Sequence, residues 1–369
     1  MLKPVKIADG HTNFFTPLRF LFAFLVLVGH AFVISSKDLQ AEPHVFFHFT
    51  FSYLAVNLFF IASGFLVTKS MLYREDVASY SSARFLRIYP GLIVHVLLMM
   101  LVLGPLVTEL PLKEYFTSPK VWLQPFMVLP FLESDMFLPG IFQNNAEHQA
   151  SATLWTLRYE ILAYIGTLVA FLLGLLKHRW MLLAQFVVFA IALPVSHMTG
   201  IYETLPPTIQ NVLRFGLCYG LGAAIYGYRD QLNFRLLGIP FLFAISALLN
   251  ATPIFEIMVM VSLAYMLFWM AYVKIPSLNW MQKLSDVSYG LYIYHWAVLQ
   301  TLFMIWPSFN AWQLIALGGP ISIVLSILSW KWVEKPALKF KDRLTEKLKS
   351  KKSKKPDEAL DVQRPVIGL

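Results

Sequence analysis

Apolar runs alternate with polar connections along nearly the whole chain, at residues 18–34, 51–68, 88–106, 154–176, 180–197, 209–228, 236–249, 254–272, 287–306 and 311–332. A helix rises about 1.5 Å per residue, so most of these runs suffice to cross about 30 Å of hydrocarbon. The pattern predicts an all-α fold, a polytopic transmembrane helical bundle of about ten spans. The seventh run is short and holds Pro240, so a tilted, broken or re-entrant helix is expected there. No small-residue cleavage site follows the first run, which reads as an anchoring helix rather than a signal peptide.

The connections differ in charge. One set carries Lys69, Arg74, Arg84 and Arg87, then Lys177 and Arg179, Arg229 and Arg235, and Lys274 and Lys283. The other set carries Lys37, Lys113 and Lys120, and its later members, 198–208 and 307–310, have no Lys or Arg. The positive-inside rule puts the first set, and with it both termini, in the cytoplasm. The segment 107–153 is too apolar for a loose linker and is expected to fold back on the bundle as a cap. A Lys-rich tail, 339–369, follows a membrane domain of residues 1–338 and is expected to be helical at first and disordered beyond. Its lysines suit anionic membrane lipids, and equally a plain solubilising role.

Composition agrees with a membrane setting. Hydrophobic residues make up 57% and charged residues 14% of the 369, against roughly 25% charged in soluble domains. Mean hydropathy is +0.61. The net charge of +9 follows from topology and calls for no nucleic acid partner. The single cysteine, Cys218, excludes an internal disulfide and any multi-cysteine metal site, and no metal is expected.

Polar groups inside the runs carry the candidate chemistry, because ionisable side chains are costly in hydrocarbon. Arg19 and His30 share the first run; eleven helical steps separate them by roughly 16 Å and return them to nearly one face. Arg84 and Arg87, in ARFLRIYPG, share a face at i, i+3. Two guanidiniums so placed suit a phosphate, or serve as topology anchors. His95 lies deeper on nearly the same face as Arg84. Glu160, in LWTLRYEILAY, requires a partner or a wet cavity, and Thr156 and Tyr164 share its face. His295 is near mid-helix among aromatics. For Arg158 and Arg214, a bound anion and snorkelling explain the position equally. There is no G-x-S-x-G elbow, Walker A or H-E-x-x-H motif. Two functions fit such a bundle: a proton-coupled transporter of a glycan or small acid, and a membrane transferase with a histidine base.

The ordered motifs LRFLFAFLVLVGHAF, NLFFIASGFLVTKS, ARFLRIYPG, LWTLRYEILAY, SYGLYIYHW and WKWVEKPALKF resemble those of the acyltransferase family 3 of integral membrane proteins. The resemblance implies a multi-pass enzyme of the bacterial cytoplasmic (inner) membrane that moves an acyl group, mostly acetyl, from acetyl-CoA to a glycan hydroxyl. It puts His30 in the catalytic position with Arg19 and Glu160 beside it. It assigns the acyl-CoA donor to Arg84 and Arg87, with Tyr89 and His95 expected to join that site, while Ser63, Arg158, Tyr289 and His295 are expected to meet the glycan acceptor. Ser288 and Glu334 fall on motif positions too. Arg158 stands where the family pattern has an uncharged residue, a departure expected to tune acceptor choice.

Overall fold

The computed structural model describes residues 4–7 and 13–353, and a helix forms at each of the ten apolar runs. The chain begins with β1 (Val5–Lys6), α1 (Phe15–Ser36), a small hairpin of β2 (His44–Phe46) and β3 (Phe49–Thr50), α2 (Phe51–Arg74) and α3 (Val77–Leu98). A π-helical turn, Met99–Leu103, continues α3 into α4 (Gly104–Val107). Then come α5 (Leu112–Thr117), α6 (Pro119–Val128), β4 (Met136–Phe137) and β5 (Gln149–Ser151). Helices α7 (Trp155–Leu172), α8 (Arg179–Met198) and α9 (Pro207–Gly227) precede β6 (Asn233–Phe234). The last part holds α10 (Gly238–Leu248), α11 (Phe255–Tyr272), α12 (Ser288–Ile305), α13 (Ala311–Ser329), α14 (Lys335–Leu338) and α15 (Lys341–Ser353).

Six helices are long and apolar enough to cross a membrane: Phe15–Ser36, Phe51–Arg74, Val77–Val107, Arg179–Met198, Phe255–Tyr272 and Ala311–Lys349. The runs at α7, α9 and α12 are helical but carry polar groups, and α10 has only 11 residues. Large apolar side chains stand exposed along the helix flanks, among them Val188, Ile191, Leu172 and Val324. Such a surface suits lipid contact and would be a liability in water.

Helix α1 packs against α2, α12 and α13, and α2 against α9. Glycines bring α2 and α9 into backbone contact: a Cβ at Gly64 would collide with the Tyr219 carbonyl, and one at Gly222 with the Ile61 carbonyl. Small residues permit this close approach. Phe15, Phe65, Phe268 and Tyr272 interlock where α1, α2 and α11 meet.

A proline reshapes the helix junction after α13. Pro336 has no N–H for the Trp332 carbonyl, and the ladder shifts through the π-helical turn Trp330–Glu334, where Lys335 N–H bonds to Trp330 O. That extra residue per turn changes the helix phase and turns Glu334 inward, 2% exposed. The 107–153 segment does fold onto the bundle. Asn145 donates to Gln300 Oε1 at 2.6 Å, and Trp296 donates to the Gln149 carbonyl at 3.0 Å, both joining the segment to α12. Of the tail, α15 is helical, and Lys349 reaches Asp76, the cap of α3, at 3.1 Å; the expected disorder beyond lies outside the described residues.

Candidate active site

Three polar assemblies lie along α1 and α12. At the end where α1 begins, Arg19 Nη1 and Arg87 Nη2 donate to one oxygen, Oδ2 of Asp286, at 2.6 and 2.7 Å. The other oxygen accepts from the Ser288 hydroxyl at 2.5 Å and from its N–H at 3.3 Å. Arg87 also faces Glu334 at 3.7 Å, and Ser329 donates to Glu334 at 3.0 Å. Two cations thus meet two carboxylates. Burial alone would raise the Asp286 carboxyl, but Arg19, Arg87 and the Ser288 hydrogen bonds hold it down at about 2.

This arrangement splits the expected arginine pair. Arg87 is spent on Asp286 and Glu334. Arg84, one turn away, makes no hydrogen bond or ion pair among the described residues, and its Nε is buried without a partner. Its guanidinium lies 6.0 Å from the Tyr80 ring and 5.4 Å from that of Tyr164. It lines a side cavity between α3 and α7 together with Tyr89. His95 is not there; it is fully buried against Tyr294, with ring centroids 5.2 Å apart.

Arg19, Ser63, Thr156, Glu160, Ser288, Tyr289 and Tyr292 line a central cavity that is partly open to its surroundings. Six residues singled out from sequence, Arg19, Ser63, Thr156, Glu160, Ser288 and Tyr289, therefore converge. Glu160 accepts from the Tyr164 hydroxyl one turn along α7, and Tyr164 also lines the Arg84 cavity, so this pair forms the wall between the two spaces. Thr156 and Tyr292 hydroxyls share a hydrogen bond of 2.8 Å. The Tyr289 hydroxyl donates to the Ile88 carbonyl at 2.9 Å, so its proton is committed to the scaffold rather than to a bound substrate. Arg158 points away, donating to the Leu132 carbonyl of the cap at 3.2 Å.

Beyond Tyr292, toward the far end of α1, His30 Nδ1 lies 2.8 Å from His295 Nε2. The rings are near parallel, 23° apart, and Trp296 stands edge-on to His30. His295 Nδ1 lies 2.9 Å from the Leu291 carbonyl. A carbonyl only accepts, so His295 Nδ1 carries a hydrogen. In a neutral ring its Nε2 then accepts from His30 Nδ1–H. The chain of bonds leaves the lone pair of His30 on Nε2. The residue that orients His30 is thus His295, placed by its sequence motif among the acceptor contacts; Glu160 is bonded to Tyr164 instead. The Tyr292 ring, 6.1 Å from that of His295, joins the pair to the central cavity.

Asp286 is the residue that sequence reasoning passed over. Two residues ahead of Ser288, it reads as an ordinary helix cap, and its arginines are 267 and 199 residues distant. No group of three or more His, Cys, Asp or Glu able to hold a metal occurs among the described residues.

Comparison with known proteins bears on this site. Residues 13–331 match an acyltransferase domain family. Nodulation protein 10 of Rhizobium leguminosarum bv. viciae is 28% identical over 370 residues, spanning 91% of this chain and 96% of that protein. An O-acetyl transferase of Shigella phage Sf6 is 26% identical over 334 residues, spanning 88% of this chain and 95% of that protein. No solved structure matches.

Proposed function

The chain belongs to the acyltransferase domain family, and on that premise we propose that this membrane-embedded acyltransferase is an O-acetyltransferase with His30 as general base. The carrying observation is the Leu291–His295–His30 chain of hydrogen bonds, which fixes one tautomer of His30 and frees its Nε2. A sugar hydroxyl is a weak nucleophile until a base removes its proton, and imidazole suits that task. His30 Nε2 takes the hydroxyl proton as the oxygen attacks the thioester carbonyl of acetyl-CoA. Collapse of the tetrahedral adduct breaks the C–S bond, and His30 returns the proton to the leaving thiolate. The products are an acetyl ester and free coenzyme A.

The bundle is read as a ten-span protein of the bacterial inner membrane with both termini in the cytoplasm. Arg84 then faces the side where acyl-CoA is made. Its unpaired guanidinium suits the donor's phosphates, and the Glu160–Tyr164 wall separates that cavity from the central one. His30 lies toward the outer side, where an exported or lipid-linked glycan arrives. Arg84→Ala is expected to raise the KM for acetyl-CoA about tenfold, the loss of one charge-assisted contact. Unchanged donor affinity in that variant would return Arg84 to a topology anchor. The broader test is mass spectrometry of surface glycans from cells lacking the protein. An acetyl mass of a glycan should disappear and return with the wild-type chain; a glycan acylation pattern identical in both strains refutes the reading.

A further inference from the structure

A second polar group lies at the end of the bundle where α2, α9 and α11 begin. Arg214, on α9, projects between two aromatic faces, its guanidinium carbon 4.6 Å from the Tyr53 ring and 4.4 Å from that of Phe215. Its Nε is buried without a partner, and among the described residues Arg214 makes neither a hydrogen bond nor an ion pair. Glu256, in the first turn of α11, accepts from the Tyr53 hydroxyl. The charges of Arg214 and Glu256 are both felt at Tyr53 and at Tyr202, in the turn before α9. Arg214, Glu256, Tyr53 and Tyr202 are all half-buried rather than sealed.

The group is level with the base. A Cβ at Gly29 would collide with the side chains of Ser52 and Glu42, so α1 and α2 touch there. His30 and Tyr53, the next residues on each helix, therefore sit at one depth. Tyr53 is one turn from Val56 and two from Phe60, both of which line the central cavity. The group thus borders the cavity at its Val56 and Phe60 wall.

An unpaired guanidinium held in place by aromatic rings has donors to give. A simple anion would satisfy it, but the Glu256 carboxylate beside it would repel one. A cation would meet the converse obstacle. A neutral ring bearing several hydroxyls answers both: hydroxyls accept from Arg214 and donate to Glu256, while Tyr202, stacked by one face on His197, turns its other face to C–H surface. We propose that Arg214, Glu256, Tyr53 and Tyr202 form a binding subsite for an uncharged sugar ring, the part of the acceptor that positions its reactive hydroxyl toward His30. This rests on the acyltransferase reading given above and adds the acceptor's place to it.

The test uses the full chain in detergent micelles and saturation-transfer NMR with a panel of neutral methyl hexosides, plus one methyl glucuronide as an anionic probe. The expected result is saturation transfer to at least one neutral glycoside, weakened about tenfold or more in Arg214→Gln and in Glu256→Gln. Tyr202→Ala, in a surface turn, should weaken binding as well and guards against misfolding of the helix variants. Thermal unfolding of every variant checks that the fold is retained. No transfer to any neutral glycoside, equal binding in all three variants, or preferential binding of the glucuronide overturns the assignment. Binding of acetyl-CoA to the wild-type protein is measured in parallel without sugar. Its absence would count against the acyltransferase reading, whereas its presence beside failed sugar binding would count against the subsite alone.

Discussion

His30→Ala should lower acetyl transfer by about 10²- to 10⁴-fold, the usual contribution of a positioned general base, while the protein still accumulates in the membrane. The side chain packs against Trp296 and His295 in a single location, so its truncation removes chemistry without opening the main core. The effect should fall on kcat, because the lone pair on Nε2 matters only as the hydroxyl proton departs. Wild-type acetylation in this variant would sink the base assignment. The orientation argument adds a sharper comparison at His295. Gln in that place keeps an acceptor at nearly the reach of Nε2, whereas Phe keeps the ring shape and loses the acceptor. His295→Gln should therefore retain clearly more activity than His295→Phe. Equal kcat in the two would mean that His295 only fills space, since packing alone favours the aromatic replacement.

Local periodicity made part of this site legible. Eleven steps from Arg19 to His30 put both on the inner face of α1, and four steps from Glu160 to Tyr164 put them in contact, because helical neighbours are fixed by spacing alone. The same spacing misplaces Arg158: two positions before Glu160 is roughly 200° around the helix, and the structure turns it to the cap. Arg84 and Arg87 look alike in sequence and differ in the structure, since of the two only Arg87 meets carboxylates, from the loop before α12 and the turn after α13. Long-range pairing of that kind leaves no periodic signal. The His30–His295 bond is a similar case: each histidine is visible in its own apolar run, but only the packing of α1 on α12 joins them. The ten apolar runs were legible as helices because each is long and continuous, while the phase shift at Trp330–Glu334 follows from one proline and a single extra residue.

Asp286→Asn is expected to destabilise the fold by about 3 kcal/mol, the lower end of the cost of breaking a buried ion pair. The side chains of Arg19, Arg87 and Asp286 are 24%, 14% and 18% exposed, so some water tempers the loss. Asparagine keeps the shape and can still accept hydrogen bonds, yet it leaves Glu334, 3.7 Å from Arg87, as the one carboxylate within ion-pair distance of either arginine among the described residues. Asp286→Glu restores the charge and should recover part of the loss. The pH dependence has a definite sign. The folded carboxyl is depressed from an ordinary 3.8 to about 2. Its contribution, about 2 kcal/mol at 1.36 kcal/mol per unit, is present above pH 4 and disappears as pH falls toward 2. Thermal unfolding in detergent from pH 7 down to pH 2 checks both claims. The gap between wild type and Asp286→Asn should stay constant down to about pH 5 and narrow below pH 4. A gap that is absent at pH 7, or that widens in acid, would mean that the two arginines are neutralised by other groups and that Asp286 is not what joins α1, α3 and α12.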